Sequence, residues 1–165
     1  MDSSVFIILP MVARSKALRL YSRKCPGTIF FSTWVITPFV YEDKRWPTVD
    51  HFYHAMKFPR DEKTQERIRN AQHAWEAKAI AIENEEDMRE DWNEVKEQVM
   101  FMGCMAKFQQ NEPLRKRLIR STERKIINNS TYDNYWGTGL DGSGKNRLGP
   151  VLERVRRLLV LYADV

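Results

Sequence analysis

Between about Trp92 and Gln110 the apolar residues Trp92, Val95, Val99, Met102 and Ala106 recur at spacings of three and four, which is one face of an α-helix. Asp91 stands where an N-cap belongs. This is the clearest helix in the chain, and it reads as a central core element around which the rest must pack. At 165 residues the chain has room for one substantial core and not for two, so a single domain is expected over 1–165, with its core over 28–160.

Helix signals continue on both sides. Glu62 to Asn70 and Ala74 to Ile82 carry the propensity of Ala, Glu and Lys. The acidic run ENEEDMRE, Glu83 to Glu90, reads as an exposed connection between helices. Pro113 opens a helix over Leu114 to Arg120, and a last helix follows Gly149-Pro150 with Val151, Leu152, Val155, Leu158 and Leu159 as its buried stripe. Leu18 to Tyr41, rich in β-branched and aromatic residues and broken at Cys25-Pro26-Gly27 and Thr37-Pro38, reads as short strands. Residues 1–17 read as an arm or first strand. Their apolar run is broken by Pro10 and followed, rather than preceded, by positive charge, so neither a membrane span nor a signal sequence is expected. The expected fold class is mainly α: a single compact helical domain with a few short N-terminal β-strands and a Gly-rich binding loop.

A hydrophobic share of 42% beside 30% charged residues is that of a globular chain. Its net charge of +5 is compatible with a phosphate-bearing ligand, whereas a nucleic-acid footprint normally shows tighter basic clustering. Two cysteines, Cys25 and Cys104, build neither a disulfide framework nor a zinc spacing, which points to a reducing, cytoplasmic compartment. The three histidines give no convincing ligand spacing, so no metal and no cofactor is expected.

The stretch RWPTVDHFYHAMKF, Arg45 to Phe58, gathers unusual chemistry in a short space. Pro47 can open a helix, because the first helical position has no N–H to satisfy. Asp50, His54 and Lys57 then share one helix face at offsets of four and three, flanked by His51 and Phe58. An acid, an imidazole and an ammonium are brought to one place; the competing reading is an ordinary surface stripe.

Asn128 to Pro150, NNSTYDNYWGTGLDGSGKNRLGP, is of another kind, holding five of the seven glycines. Tyr132, Tyr135 and Trp136 need a packed or ligand-facing position, so a binding loop is expected rather than a disordered insertion. Gly137, Gly139 and Gly142, followed by Gly144-Lys145-Asn146, allow a phosphate cradle of backbone amides with Lys145 beside it, although the spacing is not that of a Walker loop. The alternative is a turn shaped only by chain reversal. Trp136 and Trp92 are candidate plates for stacking a ring, with a core tryptophan the simpler reading of Trp92. His73 and Trp75 read as helix-boundary residues, and Met100, Met102 and Met105 as core filler. Together the two regions contain what cleavage of an N-glycosidic bond needs. A carboxylate stabilises the sugar cation or activates water and a second group protonates the leaving nitrogen, or a lysine attacks the anomeric carbon and forms a Schiff base.

These blocks resemble, in order, those of the NADAR superfamily, also called YbiA-like. FFSTWVITPF at Phe30 to Phe39 is similar to its Leu-Ser-Asn-Phe segment, and RWPTVDHFYHAMKF to its Trp/Tyr-Pro-Ser/Thr-x-Glu-His-x-x-Gln-Ala-x-Lys-Phe motif. DWNEVKEQVMFMGCMAKFQQNEPLRKRL, Asp91 to Leu118, is similar to its central helix, and YDNYWGTGLDGSGKNRLG, Tyr132 to Gly149, to its Asp-x-x-Trp-Gly-x-Gly and Gly-Lys-Asn-x-Leu-Gly elements. The resemblance implies a mainly helical N-glycosidase acting on ribose-phosphate N-glycosides, either early riboflavin-pathway intermediates or ADP-ribosylated guanine. By position it implies catalytic roles for Asp50, Lys57 and Asp133. It implies substrate binding by Ser32, Trp46, His51, Trp92, Trp136, Gly137, Gly139, Lys145 and Asn146, with His54 at the motif's Gln position. The implied partner is a small ribose-phosphate or ADP-ribose ligand, or ADP-ribosylated nucleic acid, and no membrane.

Several positions depart from the family pattern. Asp50 replaces Glu, Thr33 replaces Asn, Asn128 replaces an acid, and Ala79 to Ile82 read AIAI where Gly-Arg is usual. A carboxylate displaced by about 1 Å can cost ~100-fold in rate. The alternative function is therefore a catalytically impaired module of the same fold that binds ADP-ribose or ribose phosphate.

Overall fold

A computed structural model describes residues 17–20 and 26–162. The described elements are strand β1 (Leu18–Leu20), a 3-10 helix (Pro26–Phe31), strands β2 (Phe39–Tyr41) and β3 (Lys44–Trp46), and helices α1 (Val49–Ala55), α2 (Glu62–Arg69) and α3 (Ala74–Glu83). A second 3-10 helix (Glu85–Asp87), helices α4 (Trp92–Gln110) and α5 (Glu112–Arg120), strand β4 (Ile126–Asn128) and helix α6 (Leu148–Leu161) complete the order. The architecture is mainly helical, as the periodicity requires. Cys25, and all but Ala17 of the expected N-terminal arm, lie outside the described residues.

Helix α4 is central, packing against α6, α1, α5 and β2. Its buried face includes Val99, Met100, Cys104, Lys107 and Phe108. Gly103 brings α1 close, since a Cβ there would sit 2.8 Å from the Phe52 ring. Asp91 does not cap the helix with its side chain; it pairs with Arg89 instead, 2.5 Å from Nε. Among the described residues no helix is long and apolar enough to cross a membrane.

Helix α1 does not start at Pro47. Thr48 is the N-cap, its Oγ1 accepting from the His51 amide at 3.2 Å, and this hydroxyl satisfies a free amide where a proline merely lacks one. Helices α5 and α6 begin at Glu112 and Leu148, so Pro113 and Pro150 lie within first turns, where a missing N–H is tolerated.

Strands β2 and β3 pair antiparallel, Phe39 opposite Trp46, across Glu42 and Asp43 with φ of 48° and 58°. That is a tight hairpin turn with no Asn or Gly to announce it. Strands β1 and β4 pair in parallel, from Leu18 opposite Ile126 to Leu20 opposite Asn128. Neither β3 nor β4 was expected, because three residues are too few to show alternation.

Candidate active site

Helix α1 and the turn after it supply one side of a cavity of about 400 Å³, and the loop between β4 and α6 supplies another. Asp50 sits in the first turn of α1, where its amide donates to the Thr33 carbonyl at 3.1 Å and its carboxylate is hydrogen-bonded by the Thr33 side chain. It keeps part of its surface open to the cavity while protein encloses it at depth. Burial holds its carboxyl above the usual range, opposed by the Thr33 bond and by Lys107 and Lys78. One turn on, burial pushes His54 down to about 3, with Lys57 and Lys78 adding to the effect, so its ring is neutral at physiological pH. Lys57 lies beyond the last residue of α1, in the turn that prolongs its face; burial lowers its amine, and Lys78 acts the same way against Glu85.

The wall is aromatic. Tyr53 meets Trp92 and Trp136 edge-on, with ring centroids at 4.8 and 5.6 Å, and Tyr135 meets Trp136 at 5.1 Å. The Lys57 ammonium lies 5.7 Å from the Trp92 ring centre and that of Lys96 4.1 Å from the Tyr135 ring. Lys57, Lys78 and Lys96 all line the cavity, and none is in an ion pair with a carboxylate among the described residues.

Asp133 lines the cavity and also shapes the loop. Its Oδ1 accepts from the amides of Tyr135 and Trp136 at 2.8 and 2.7 Å, a local turn that sets Trp136 in place. Glu97 on α4 fastens the loop from outside, accepting from the Tyr135 hydroxyl at 2.6 Å and from Arg147 Nε at 2.7 Å.

Asp50, His54, Lys57, Trp92, Asp133 and Trp136 thus converge on one cavity. Thr33, Met100, Asn128 and Tyr135 line it as well, whereas the substrate-binding positions Ser32, Trp46, His51, Gly137, Gly139, Lys145 and Asn146 do not. Ser32 is fully buried, with its carbonyl accepting from Lys107 Nζ at 2.7 Å, and Trp46 is a core residue packed edge-on against Phe52. His51 is held at Nδ1 by the Thr48 hydroxyl at 2.8 Å and at Nε2 by the Ala71 carbonyl at 3.1 Å, so both ring nitrogens are occupied structurally. The phosphate cradle expected of the glycine loop does not form. The amides of Gly139, Gly144, Lys145 and Asn146 all donate to loop carbonyls, those of Ser130, Thr138, Asn134 and Gly137, and are not free for a ligand. Gly144 serves this self-packing, for a Cβ there would stand 2.5 Å from the Gly137 carbonyl oxygen. Gly137 is buried within the fold-back, and Gly139 takes φ +70°. Asn146 braces the loop to β4, accepting from the Asn128 amide at 2.7 Å and donating to the Ile126 carbonyl at 3.0 Å. Lys145 is exposed, 5.5 Å from the Tyr135 ring centre.

Sequence reasoning missed Tyr53, Lys78, Lys96 and Lys107. Lys107 was readable, since it falls seven residues after Met100 and three after Cys104, on the buried stripe of α4. Met100 is both core and cavity floor. No group of three or more His, Cys, Asp or Glu fit to hold a metal occurs among the described residues.

With this geometry in place, comparison with known proteins is informative. N-glycosidase YbiA of Escherichia coli (strain K12) is 37% identical over 131 residues, covering 79% of this chain and 81% of that protein. N-glycosidase Npun_R5314 of Nostoc punctiforme is 33% identical over 126 residues, 73% of this chain and 81% of that protein. Riboflavin biosynthesis protein VVA0006 of Vibrio vulnificus is 36% identical over 118 residues, 72% of this chain but 32% of that longer protein. The NMR structure of E. coli YbiA superposes with a TM-score of 0.82 at 34% identity, covering 92% of this chain and 89% of that one. The NADAR domain profile matches residues 20–160, and the chain belongs to the NADAR domain family.

Proposed function

We propose that this chain is a hydrolase that cleaves the N-glycosidic bond of ribose-phosphate N-glycosides. The observation that carries the reading is the convergence of Asp50, Lys57 and Asp133 on one cavity walled by Trp92 and Trp136. The relatives named N-glycosidase and riboflavin biosynthesis protein support it. The substrate class comprises the phosphoribosylamino intermediates of early riboflavin synthesis and ADP-ribosylated guanine.

In this reading the base lies against Trp92, Trp136 and Tyr53, while Lys78 and Lys96, cations without an ion-pair partner among the described residues, hold phosphate. Lys57, whose amine burial keeps below the ordinary lysine range, attacks C1 of the ribose. The C1–N bond breaks and its electron pair goes to the base nitrogen, which takes a proton from Asp50, whose neutral form burial favours. Asp133 faces the positive charge developing on the sugar. The ring opens as the Schiff base forms, its oxygen taking a proton from the lysine nitrogen. Water then adds to C1 and its surplus proton returns to the Asp50 carboxylate, Lys57 leaves as free amine, and ribose phosphate, or ADP-ribose from the ADP-ribosylated base, is released.

Release of free base from riboflavin-pathway pyrimidine intermediates and ADP-ribosylated guanosine, with and without borohydride, tests this. The expected result is base release, with a reduced sugar adduct on Lys57 that is absent from Lys57→Ala. Release that survives Lys57→Ala without any adduct would replace the Schiff base by direct attack of water. No release, with ribose 5-phosphate still bound, would make the chain a binding module.

A further inference from the structure

Seven of the ten residues of α3, AWEAKAIAIE, are apolar, and they run right round the helix. A helix of that kind is normally covered on every side. Here α1 and α2 pack against α3, and its buried residues are Ala77 and Ala81. At 3.6 residues per turn Trp75, Ala79 and Ile82 fall together on the opposite side. Trp75 is 68% exposed and Ile82 56%, so folding leaves this outer stripe in water. Charge flanks the stripe in an ordered way. Written as a heptad, Trp75 and Ile82 take d positions and Ala79 the a position between them, which puts Lys78 at g and Glu83 at e. Lys78 makes no ion pair among the described residues, and Glu83, although paired with Arg67 at 3.3 Å, keeps 62% of its side chain in solvent. One helix therefore carries both halves of the g-to-e pair by which two parallel helices recognise each other. A stripe complementary to itself fits a two-fold interface.

We propose that the outer face of α3 is a homodimer interface. The α3 helices of two copies lie side by side and parallel about a two-fold axis, with Trp75, Ala79 and Ile82 at the seam and Lys78 of each copy paired with Glu83 of the other. An antiparallel arrangement would set Lys78 against Lys78 and Glu83 against Glu83, so the charges select the parallel one. Ten residues make under three turns of helix, and so small a contact belongs with transient interfaces rather than obligate ones. Trp75 also lines, with Ile36, a groove of about 600 Å³ that shares Asp50, His54 and Lys78 with the cavity described above. The second copy thus stands at the edge of that cavity, and the three donors of the Lys78 ammonium let it meet a carboxylate and a phosphate together. The interface does not depend on which reaction the cavity carries out.

Sedimentation equilibrium over a dilution series from roughly 500 µM to 1 µM tests the proposal. The wild type is expected to pass from two chains to one on dilution, one chain being 19.6 kDa. Ile82→Glu puts a carboxylate on the seam and holds the chain monomeric throughout. Lys78→Glu and Glu83→Lys each set like charges against one another in a homodimer, and each weakens association roughly 10-fold or more. An equimolar mixture of these two variants, in which every pair is again Lys with Glu, recovers it. Circular dichroism checks that each variant is folded. A wild type that stays monomeric across the series, a dimer that survives in Ile82→Glu, or a mixture of the two folded charge variants that fails to associate overturns the proposal.

Discussion

The ammonium of Lys107, inside the core on α4, donates at 2.7 Å to the carbonyl of Ser32. Ser32 precedes Thr33, which holds Asp50 through both its backbone carbonyl and its side chain. A buried cation therefore fixes the segment that positions a cavity carboxylate. Burial lowers this lysine to about 8, although Cys104 and Asp50 oppose the shift.

Between about pH 8 and the ordinary lysine value the folded chain has released the Lys107 proton while the unfolded chain still holds it, so stability rises with pH across that window. The rise contributed by this group is roughly 3 kcal/mol. Lys107→Met removes it, while the unpaired Ser32 carbonyl costs about 1–3 kcal/mol. Urea melts of both proteins at pH 7 and pH 10 measure the difference. An equal pH response in the two would show that the buried ammonium does not titrate in this window.

His54 acts in the acid range. Its ring stays neutral down to about pH 3 in the folded chain and takes up a proton near its ordinary value when unfolded, so stability is lost as pH falls between these limits. Its Nδ1 is buried without a hydrogen-bond partner among the described residues. His54→Gln, which introduces the residue of the family motif, is expected to lose roughly 2–3 kcal/mol less than the wild type between pH 7 and about pH 4.5. Thermal melts at the two pH values decide it, and parallel losses would refute the assignment.

Asp133 shapes the loop, and in the proposed mechanism it also faces the charge developing on the sugar; one pair of substitutions separates the two. Asparagine keeps an oxygen to accept from Tyr135 and Trp136 but removes the charge; alanine removes both. Asp133→Asn is expected to melt within about 0.5 kcal/mol of the wild type while base release falls roughly 100-fold or more. Asp133→Ala should lose activity and also about 1–2 kcal/mol of stability. Wild-type turnover by a folded Asp133→Asn would mean that the carboxylate serves the loop alone.

Much of the helical frame was legible, because α2, α3, α4 and α6 each bring an amphipathic stripe or strong propensity, and four of the buried positions read on α6, Val151, Leu152, Val155 and Leu159, are buried in the fold. The motif around Asp50, His54 and Lys57 was also legible as a face, although the last of the three stands in a turn. The glycine loop was legible as a loop, but spacing does not choose between a phosphate cradle and a chain-reversing turn; the amides of Gly139 and Gly144 bond to carbonyls of the loop itself, because donors and acceptors within one loop can satisfy each other. Lys78 carries no local signal. Its place in the cavity wall comes from where α3 lies beside α1, and tertiary placement of that kind has no trace in spacing.

Leu20 is paired with Asn128, and Asn128 in turn holds the loop, its side chain donating to the Trp136 carbonyl at 3.1 Å. The rigid wall of the cavity thus depends on two segments far apart in the chain, whereas α1, α2 and α3 associate with near neighbours. Assembly of this protein therefore has a built-in order. A chain whose synthesis has reached α3 holds Asp50, His54 and Lys57 but neither Asp133 nor Trp136, so the cavity wall closes only when β4 has been made and has paired with β1.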